Sequence, residues 1–187
     1  MPAARTRNAE ATRADILSAA RLRFGADGYD RTTLRAVAAD VGVDAALVIR
    51  YFGSKQDLFA AAAEFTIDLP DLRGVEPEVL AYALLSRFFA VWEEDATFVA
   101  LLRAAMTSET AANTMRLVFA TQVAPALAVV TPDHPAERVG LLGAFVIGLA
   151  TTRYVLANPA VVNLSHDDMI RWTSPVITQL LTGPAPS

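Results

Sequence analysis

Apolar residues recur at helical spacing along nearly the whole chain. Ile16 and Leu17 are followed by Ala20 and Phe24 at helical spacing, which predicts the apolar stripe of a first helix. This helix is expected to stop before Gly28. No stretch alternates apolar and polar residues over the length of a strand. The pattern therefore predicts an all-α fold.

A second and a third short helix are predicted next, joined by a tight turn. Either Thr32 or Thr33 caps the second helix. Gly42 stands where the turn needs a positive φ, and Asp44 then caps a third helix over 45–52. Two short helices joined by such a turn match the helix-turn-helix plan, in which the second of the pair enters the DNA major groove.

The remaining segments predict a helical body. Ser54 and Asp57 form a capping box that starts a fourth helix, and the prolines, glycine and charges of 68–77 indicate a loop after it. Pro125 and Pro175 fall inside helical patterns and are expected to kink or break them. About nine helices are expected in all, and those after the loop lie near 78–94, 96–107, 110–130, 136–157 and 166–182.

Composition and charge indicate a folded chain with a basic N-terminal part. Of the 187 residues 53% are hydrophobic and 19% are charged, and the formal net charge is −4. Up to position 59, nine basic residues face seven acidic ones, whereas the remainder has seven basic and thirteen acidic residues. The acidic total therefore hides a mildly basic head, which nucleic-acid binding requires.

The third helix presents unusual side chains for an exposed helix. Ala45, Ala46 and Leu47 are small or apolar, so the backbone can approach base edges and a thymine methyl can be contacted. Arg50 can pair with guanine or with a phosphate, and the Tyr51 hydroxyl can reach a phosphate. We expect these five residues to contact DNA.

Three flanking residues are further DNA-contact predictions. Lys55 lies in the first turn of the fourth helix, where a cation opposes the helix dipole, and a bound phosphate would explain its position. Thr33 serves either as a cap alone or also as a phosphate ligand. Asp44 serves either as a cap or as a base contact, with the cap as the favoured interpretation.

The order of these residues resembles the N-terminal signature of TetR-type transcriptional regulators. The resemblance covers about 47 residues at constant spacing, and Ile49 departs from it by standing where the family usually has Tyr. The resemblance implies a homodimer that places two recognition helices in successive major grooves of operator DNA. It rests on Ile16-Leu17, Ala19-Ala20, Phe24, Gly28-Tyr29, Thr32-Thr33-Leu34, Val37-Ala38, Val41-Gly42-Val43, Tyr51-Phe52, Ser54-Lys55 and Leu58.

The body is expected to bind a small molecule of unknown identity. By resemblance it is the ligand-binding and dimerisation domain, and aromatic, Met and polar residues on its helices are consistent with an apolar pocket. For each apolar residue, ordinary core packing is the favoured interpretation, and surface ion pairs explain the polar residues as well as ligand contact does. The predicted ligand-binding residues are Phe88, Trp92, Phe98, Leu102, Met106, Met115, Phe119, Gln122 and Arg153.

A strip of small residues in the helix near 136–157 indicates a dimer interface. Gly140, Ala144, Gly148 and Thr152 recur every four positions, so another helix can pack closely against them. The strip packs either inside the chain or, as we favour from the resemblance, against a second copy. The apolar residues Ile170, Ile177 and Leu181 of the last helix are predicted to complete the interface.

No constellation of residues predicts catalysis. The chain contains no Cys and two His, neither with metal-ligand spacing, and the acidic run 93–95 is interpreted as a solvated turn. We therefore expect no enzyme, no catalytic or metal site and no cofactor. The alternative is a helical small-molecule-binding or enzyme scaffold that no longer binds DNA.

Together with these patterns, the resemblance implies a ligand-responsive regulator with two domains, and we expect it to be a repressor. Residues 1–60 are expected to form the DNA-binding domain, 61–183 the ligand-binding and dimerisation domain, and 184–187 a loose tail. The N-terminus lacks the apolar segment of a signal peptide, and the apolar run 140–152 is shorter than a membrane span. We expect that run to be a buried helix, and the protein to be cytoplasmic with no membrane partner.

Overall fold

The computed structural model describes residues 3–63, 67–94 and 97–185, and every regular element within these ranges is helical. The all-α prediction is confirmed. The described residues divide into two compact units. The first comprises those of 1–65 and 96–115, and the second those of 66–95 and 116–187.

Six helices supply the first unit. The first helix breaks at Gly28, whose φ of 80° lies in the region that glycine tolerates, and then continues to Arg31. The first four helices begin and end close to their predicted positions. The helices are α1 (Ala3–Arg31), α2 (Leu34–Val41), α3 (Ala45–Phe52), α4 (Lys55–Ala62), α6 (Thr97–Ala105) and the first part of α7 (Glu109–Val118).

The core of this unit joins the first four helices to α6 and α7. Phe24, Val48 and Phe59 are buried in one apolar cluster, and Leu101 and Ala104 of α6 belong to the same cluster. The predicted division at residue 60 differs from this arrangement, because it assigned every residue beyond that point to the body. Chain order gave no sign that the apolar face of α6 packs on α1.

The second unit contains five α-helices and two π-helical turns. The predicted helix 110–130 is interrupted by a π turn over Phe119–Val123, next to Pro125, so the regular α-helix is broken at the expected place. Pro175, by contrast, lies within a helix that continues to Thr182. The α-helices are α5 (Pro77–Glu94), α8 (Ala124–Ala128), α9 (Pro135–Ala150), α10 (Pro159–Val162) and α11 (His166–Thr182), and the second π turn covers Thr151–Val155.

The helix formed by α9 and its π turn is more exposed than expected. Pro135–Val155 spans 21 residues. Only 28% of its most apolar 18-residue stretch is buried within the chain. The prediction of a buried helix is therefore wrong for the single chain. By length and composition alone this helix could cross a membrane, which is weak evidence because helices of soluble proteins share these properties.

One buried arginine ties the start of α9 to the end of α11. Arg138 is 7% exposed, and its guanidinium donates to the Asp133 carboxylate at 2.6 Å and to the carbonyls of Leu180 and Gly183 at 3.0 and 2.7 Å. The Arg138 guanidinium keeps the pKa of Asp133 below its ordinary value. The predicted loose tail begins just beyond this contact, and its residues 186–187 lie outside the described ranges.

Candidate functional site

The helix-turn-helix forms around a tight turn between α2 and α3. Gly42 adopts a left-handed conformation with φ 73°, and the Val43 amide donates to the Ala38 carbonyl at 3.0 Å. At the other end of α2, Thr33 is the cap, because its hydroxyl accepts from the Ala36 amide at 3.1 Å. The Thr32 side chain is buried and donates to the Gly28 carbonyl instead.

One face of α3 is buried and the opposite face is open to solvent. Val48 and Phe52 pack into the core. Ala46, Ile49 and Arg50 are exposed, and Ile49 leaves half of its surface in contact with solvent. The predicted residues Ala45, Leu47 and Tyr51 are half-buried. The exposed face therefore combines a small residue, an apolar residue and a cation, which suits contact with base edges.

Asp44 and Arg50 stand at opposite ends of α3. The Asp44 carboxylate accepts from the Ala46 amide at 2.7 Å, so its role as a cap is established by geometry. The Arg50 guanidinium lies 5.6 Å from the Tyr51 ring centroid and remains exposed. The cationic head of Arg50 is thus accessible beside a ring that limits its freedom.

Lys55 is held in place by two groups at the end of α1. Its ammonium donates to the Asp30 carbonyl at 3.0 Å and lies 4.4 Å from the centre of the Tyr29 ring. Ser54 and Asp57 form the predicted capping box, with both reciprocal bonds present. A cation is therefore positioned at the N-terminus of α4, where backbone amides also point outward.

The predicted ligand-binding residues are divided between the two compact units. Phe98, Leu102, Met106 and Met115 belong to the first unit, where Met115 packs against the core and Met106 is exposed. The other five belong to the second unit.

Within the second unit, the predicted ligand residues already serve the fold. Phe88 and Trp92 are buried and stack with ring centroids 5.8 Å apart. Gln122 accepts from the Ile67 amide at 2.8 Å. Arg153 donates to the carbonyls of Val161, Val162 and Leu164, which lie at and just after the C-terminal end of α10. Phe119 approaches α9 where Gly143 leaves room for its ring.

Sequence reasoning missed a polar cluster around Glu93. Its Oε1 atom accepts from the Tyr154 hydroxyl at 2.5 Å and lies 3.0 Å from His166 Nε2 and 4.0 Å from Arg153 Nε. The His166 ring stacks on Phe89 with centroids 4.2 Å apart. The interpretation of Glu93 as part of a solvated turn is therefore wrong. Residue 95 and the side chain of residue 94 lie outside the described part.

Burial and hydrogen bonding shift the pKa values of this cluster. Burial, and then the hydrogen bond to Glu93, raise the pKa of Tyr154 well above its ordinary value. Burial also acts to raise the pKa of Glu93, but hydrogen bonds from Tyr154 and His166 outweigh it and lower that pKa. Tyr154 is therefore a neutral donor and Glu93 an anion at neutral pH. The only sequence signal was the helical spacing of Phe89 and Glu93 on α5.

The predicted interface residues fall into two classes. Gly140, Ala144 and Gly148 are exposed along α9, and Thr152 is partly buried, with its hydroxyl bonded to the Gly148 carbonyl. The α11 residues that were predicted to join them are buried inside the chain, so they are not a free surface. These are Ile170, Ile177 and Leu181, which are 8%, 0% and 0% exposed.

A different face of α11 is open. Trp172 is 75% exposed and Val176 is 41% exposed, and on α9 Leu141 is 58% exposed. A Cβ atom added at Gly140 or Gly148 would meet no atom within 4 Å. The small size of these two glycines therefore serves no packing requirement within the described chain.

Comparison with known proteins agrees with this architecture. Residues 16–62 match the family described as "Bacterial regulatory proteins, tetR family", and residues 78–181 match "Tetracyclin repressor-like, C-terminal domain". The chain is 38% identical over 65 residues to the HTH-type transcriptional dual regulator CecR of Shigella flexneri. That alignment includes 35% of this chain, which spans about three tenths (29%) of the length of this curated relative.

Two solved structures share the fold. A TetR-family regulator from Streptomyces coelicolor A3 superposes with a TM-score of 0.63 at 25% identity, over 91% of this chain and 94% of that one. The HlyIIR mutant protein with a linker substitution gives a TM-score of 0.65 at 17% identity, over 96% and 99% of the two chains. Together the two family matches include most of the sequence, and the chain belongs to the TetR family of DNA-binding transcriptional regulators.

Proposed function

We propose that this regulator is a repressor that binds a palindromic operator as a homodimer and leaves it when a small, largely apolar effector binds the body. The observation that carries the DNA-contact part is the exposed face of α3. Ala46, Ile49 and Arg50 are accessible there, while Val48 and Phe52 anchor the helix in the core. We place the protein in the cytoplasm, where operator DNA is found.

Two neighbouring features support the assignment of this face. Lys55 lies in the first turn of α4 and is held by Tyr29 and Asp30, so a cation is already positioned where a phosphate would meet outward-pointing amides. Thr33 exposes its side chain at the N-cap of α2, where its hydroxyl accepts from the Ala36 amide and can still donate to a phosphate. These residues would fix the orientation of α3 on the duplex, and Arg50 would contact the base edges that carry the sequence.

The experiment begins with selection of bound duplexes from a randomised double-stranded DNA library. We expect pseudo-palindromic sequences with half-sites about one helical turn apart. On the selected duplex, Arg50→Ala should weaken binding by about 1–3 kcal/mol for each half-site, measured by fluorescence anisotropy. Arg73→Ala removes the same charge from an exposed pair with Asp71 in the second unit and serves as the control.

Two results would contradict the assignment of this face. Equal affinity of the Arg50→Ala and Arg73→Ala variants would show that α3 does not read the DNA. Failure to enrich any duplex with a folded dimer would favour the alternative, a helical ligand-binding scaffold that no longer binds DNA.

The proposed coupling to an effector depends on how α6 packs. Its residues Leu101 and Ala104 lie in the core of the DNA-contacting unit, and Arg103 donates to the Gly25 carbonyl at 3.2 Å, one turn before the break at Gly28. The residues after that break hold Lys55. A ligand that binds one position of α6 more tightly than another would therefore change the DNA-contacting unit.

A further inference from the structure

A groove between α5 and α11 is not used by any role assigned above. It has a volume of about 690 Å³, within the range of small-molecule sites. Its lining is contributed by Tyr82, Ser86, Phe89, Ala90 and Glu93 of α5 and by His166, Asp167 and Ile170 of α11. The α5 residues recur every three or four positions, so the groove follows one face of the helix for about 16 Å.

One end of the groove is anionic. All three contacts to Glu93 involve its Oε1 atom, and its Oε2 atom has no hydrogen-bond partner within the described part of the chain. Asp167 is exposed in the first turn of α11, and its carboxylate likewise has no partner among the described residues. Two carboxylate groups therefore keep free acceptor positions at the same end.

The rest of the groove is apolar with an aromatic wall. Phe89 and Ile170 are buried and form its floor. Tyr82 is 56% exposed four positions before Ser86, away from the acidic end. The hydroxyls of these two residues have no hydrogen-bond partner in the ranges that the structure describes. A ligand body laid along α5 would cover this exposed aromatic surface.

We propose that this groove binds an elongated organic cation, with a primary or substituted ammonium group at Glu93 Oε2 and Asp167 and an aromatic or aliphatic body along Phe89 toward Tyr82. The lining described contains two carboxylates and no Lys or Arg. Arg153 contacts the opposite oxygen of Glu93 and is occupied by the carbonyls at the end of α10. An anionic ligand would meet two carboxylates without a compensating cation.

This site is distinct from the apolar residues predicted for the effector. Phe88 and Trp92 are buried in the core, whereas the groove is open to solvent. Binding in the groove does not depend on the proposed repressor function. Only a role of the bound cation in regulation would rest on that function.

The test uses isothermal titration calorimetry of the full chain without DNA, at pH 7.5. The probes are 4-phenylbutylamine, 4-phenylbutan-1-ol and 4-phenylbutyrate, which share a body and differ in charge. The amine should bind at least about tenfold more tightly than the alcohol, and the carboxylate should bind most weakly, because the acidic end distinguishes them.

Two variants distinguish the contribution of charge to binding from the contribution of apolar contact. Asp167→Asn should weaken the amine about two- to fivefold and leave the alcohol unchanged, which is the effect of one exposed charge. Tyr82→Ala should weaken the amine and the alcohol equally. Glu137→Gln removes an acid from the corresponding first turn of α9, outside the groove, and should change nothing.

Three results would overturn the proposal: equal affinity for amine and alcohol, no heat from the amine up to 10 mM, or the same amine affinity in Asp167→Asn and Glu137→Gln. Circular dichroism of each variant checks that the helices are intact. Operator affinity is measured separately, so the calorimetric result decides the groove proposal even if the chain does not bind DNA.

Discussion

At the scale of single residues, Lys55 shows how the fold prepares a contact that the sequence only suggests. A cation in the first turn of a helix opposes the helix dipole, which marks the position as unusual. The structure supplies the restraint, since the Tyr29 ring and the Asp30 carbonyl both hold the ammonium. A side chain that is already ordered loses less conformational entropy when it meets a phosphate.

Lys55→Met should therefore lower operator affinity for all sequences alike, because a phosphate contact carries no base specificity. The slope of log affinity against log salt concentration should fall by about 1.8, because each of the two half-sites loses one neutralised phosphate, worth about 0.9. Fluorescence anisotropy over a series of KCl concentrations measures both. Lys55→Arg keeps the charge and should retain the slope; an unchanged slope in Lys55→Met would remove Lys55 from the phosphate contacts.

The residues around Glu93 show where sequence reasoning at this scale fails. Their partners lie 61 and 73 positions away in the chain. A π turn over Thr151–Val155 contributes to the placement of Tyr154 and Arg153, and no sequence pattern indicated that turn. Lys55 could be singled out because its signal is local, whereas Glu93 depends on the packing of α5 against two other elements.

At the scale of elements, the N-terminal helices were predictable from the sequence, whereas the helix against which α6 packs was not. Caps at Thr33, Asp44 and Ser54 define helix starts through contacts within three residues. Apolar spacing then gives the buried face of each helix. The same spacing on α6 shows that it buries a face, but not that α1 is the partner, because the period contains no information about the surface that covers it.

Glycines on α9 illustrate two opposite requirements within one element. A Cβ atom at Gly143 would lie 2.7 Å from Phe119 Cε2, so this position must stay small for the Phe119 ring to pack. Gly140 and Gly148 face open space. The sequence suggested one strip of small residues, and only the structure shows that Gly143, which is not part of that strip, leaves room for the Phe119 ring.

Gly143→Ala should accordingly destabilise the protein by about 1–3 kcal/mol, although alanine is the better helix former, because the Phe119 ring must move. Urea unfolding followed by circular dichroism at fixed protein concentration measures the change. The control is the same substitution in a Phe119→Leu background, where the smaller side chain should relieve most of the cost. An equal cost in both backgrounds would rule out the contact with Phe119 as its cause.

At the scale of the whole molecule, the exposed apolar surface indicates that a second copy of the chain covers part of α9 and α11. Leu141 on α9 and Trp172 and Val176 on α11 leave large apolar areas in solvent, beside a strip whose glycines have no neighbour. Family members typically act as dimers, and a second copy presenting the same surface would cover these residues. A partner helix can approach closely only where the strip remains small.

Gly148→Leu and Trp172→Glu should each shift the protein from dimer to monomer in sedimentation-velocity experiments, with helix content unchanged. The first substitution fills the strip, and the second places a charge in the proposed apolar contact. Val129→Glu makes the same apolar-to-acidic change at a position that is 57% exposed at the end of α8, and it should leave the dimer intact.

Because the two linked DNA-binding units of a dimer bind a palindrome more tightly than one unit does, the monomeric variants should lose affinity for the full operator while keeping affinity for a single half-site. A dimer that survives both substitutions would place the interface on another face, and a monomer with undiminished affinity for the full operator would separate DNA binding from dimerisation.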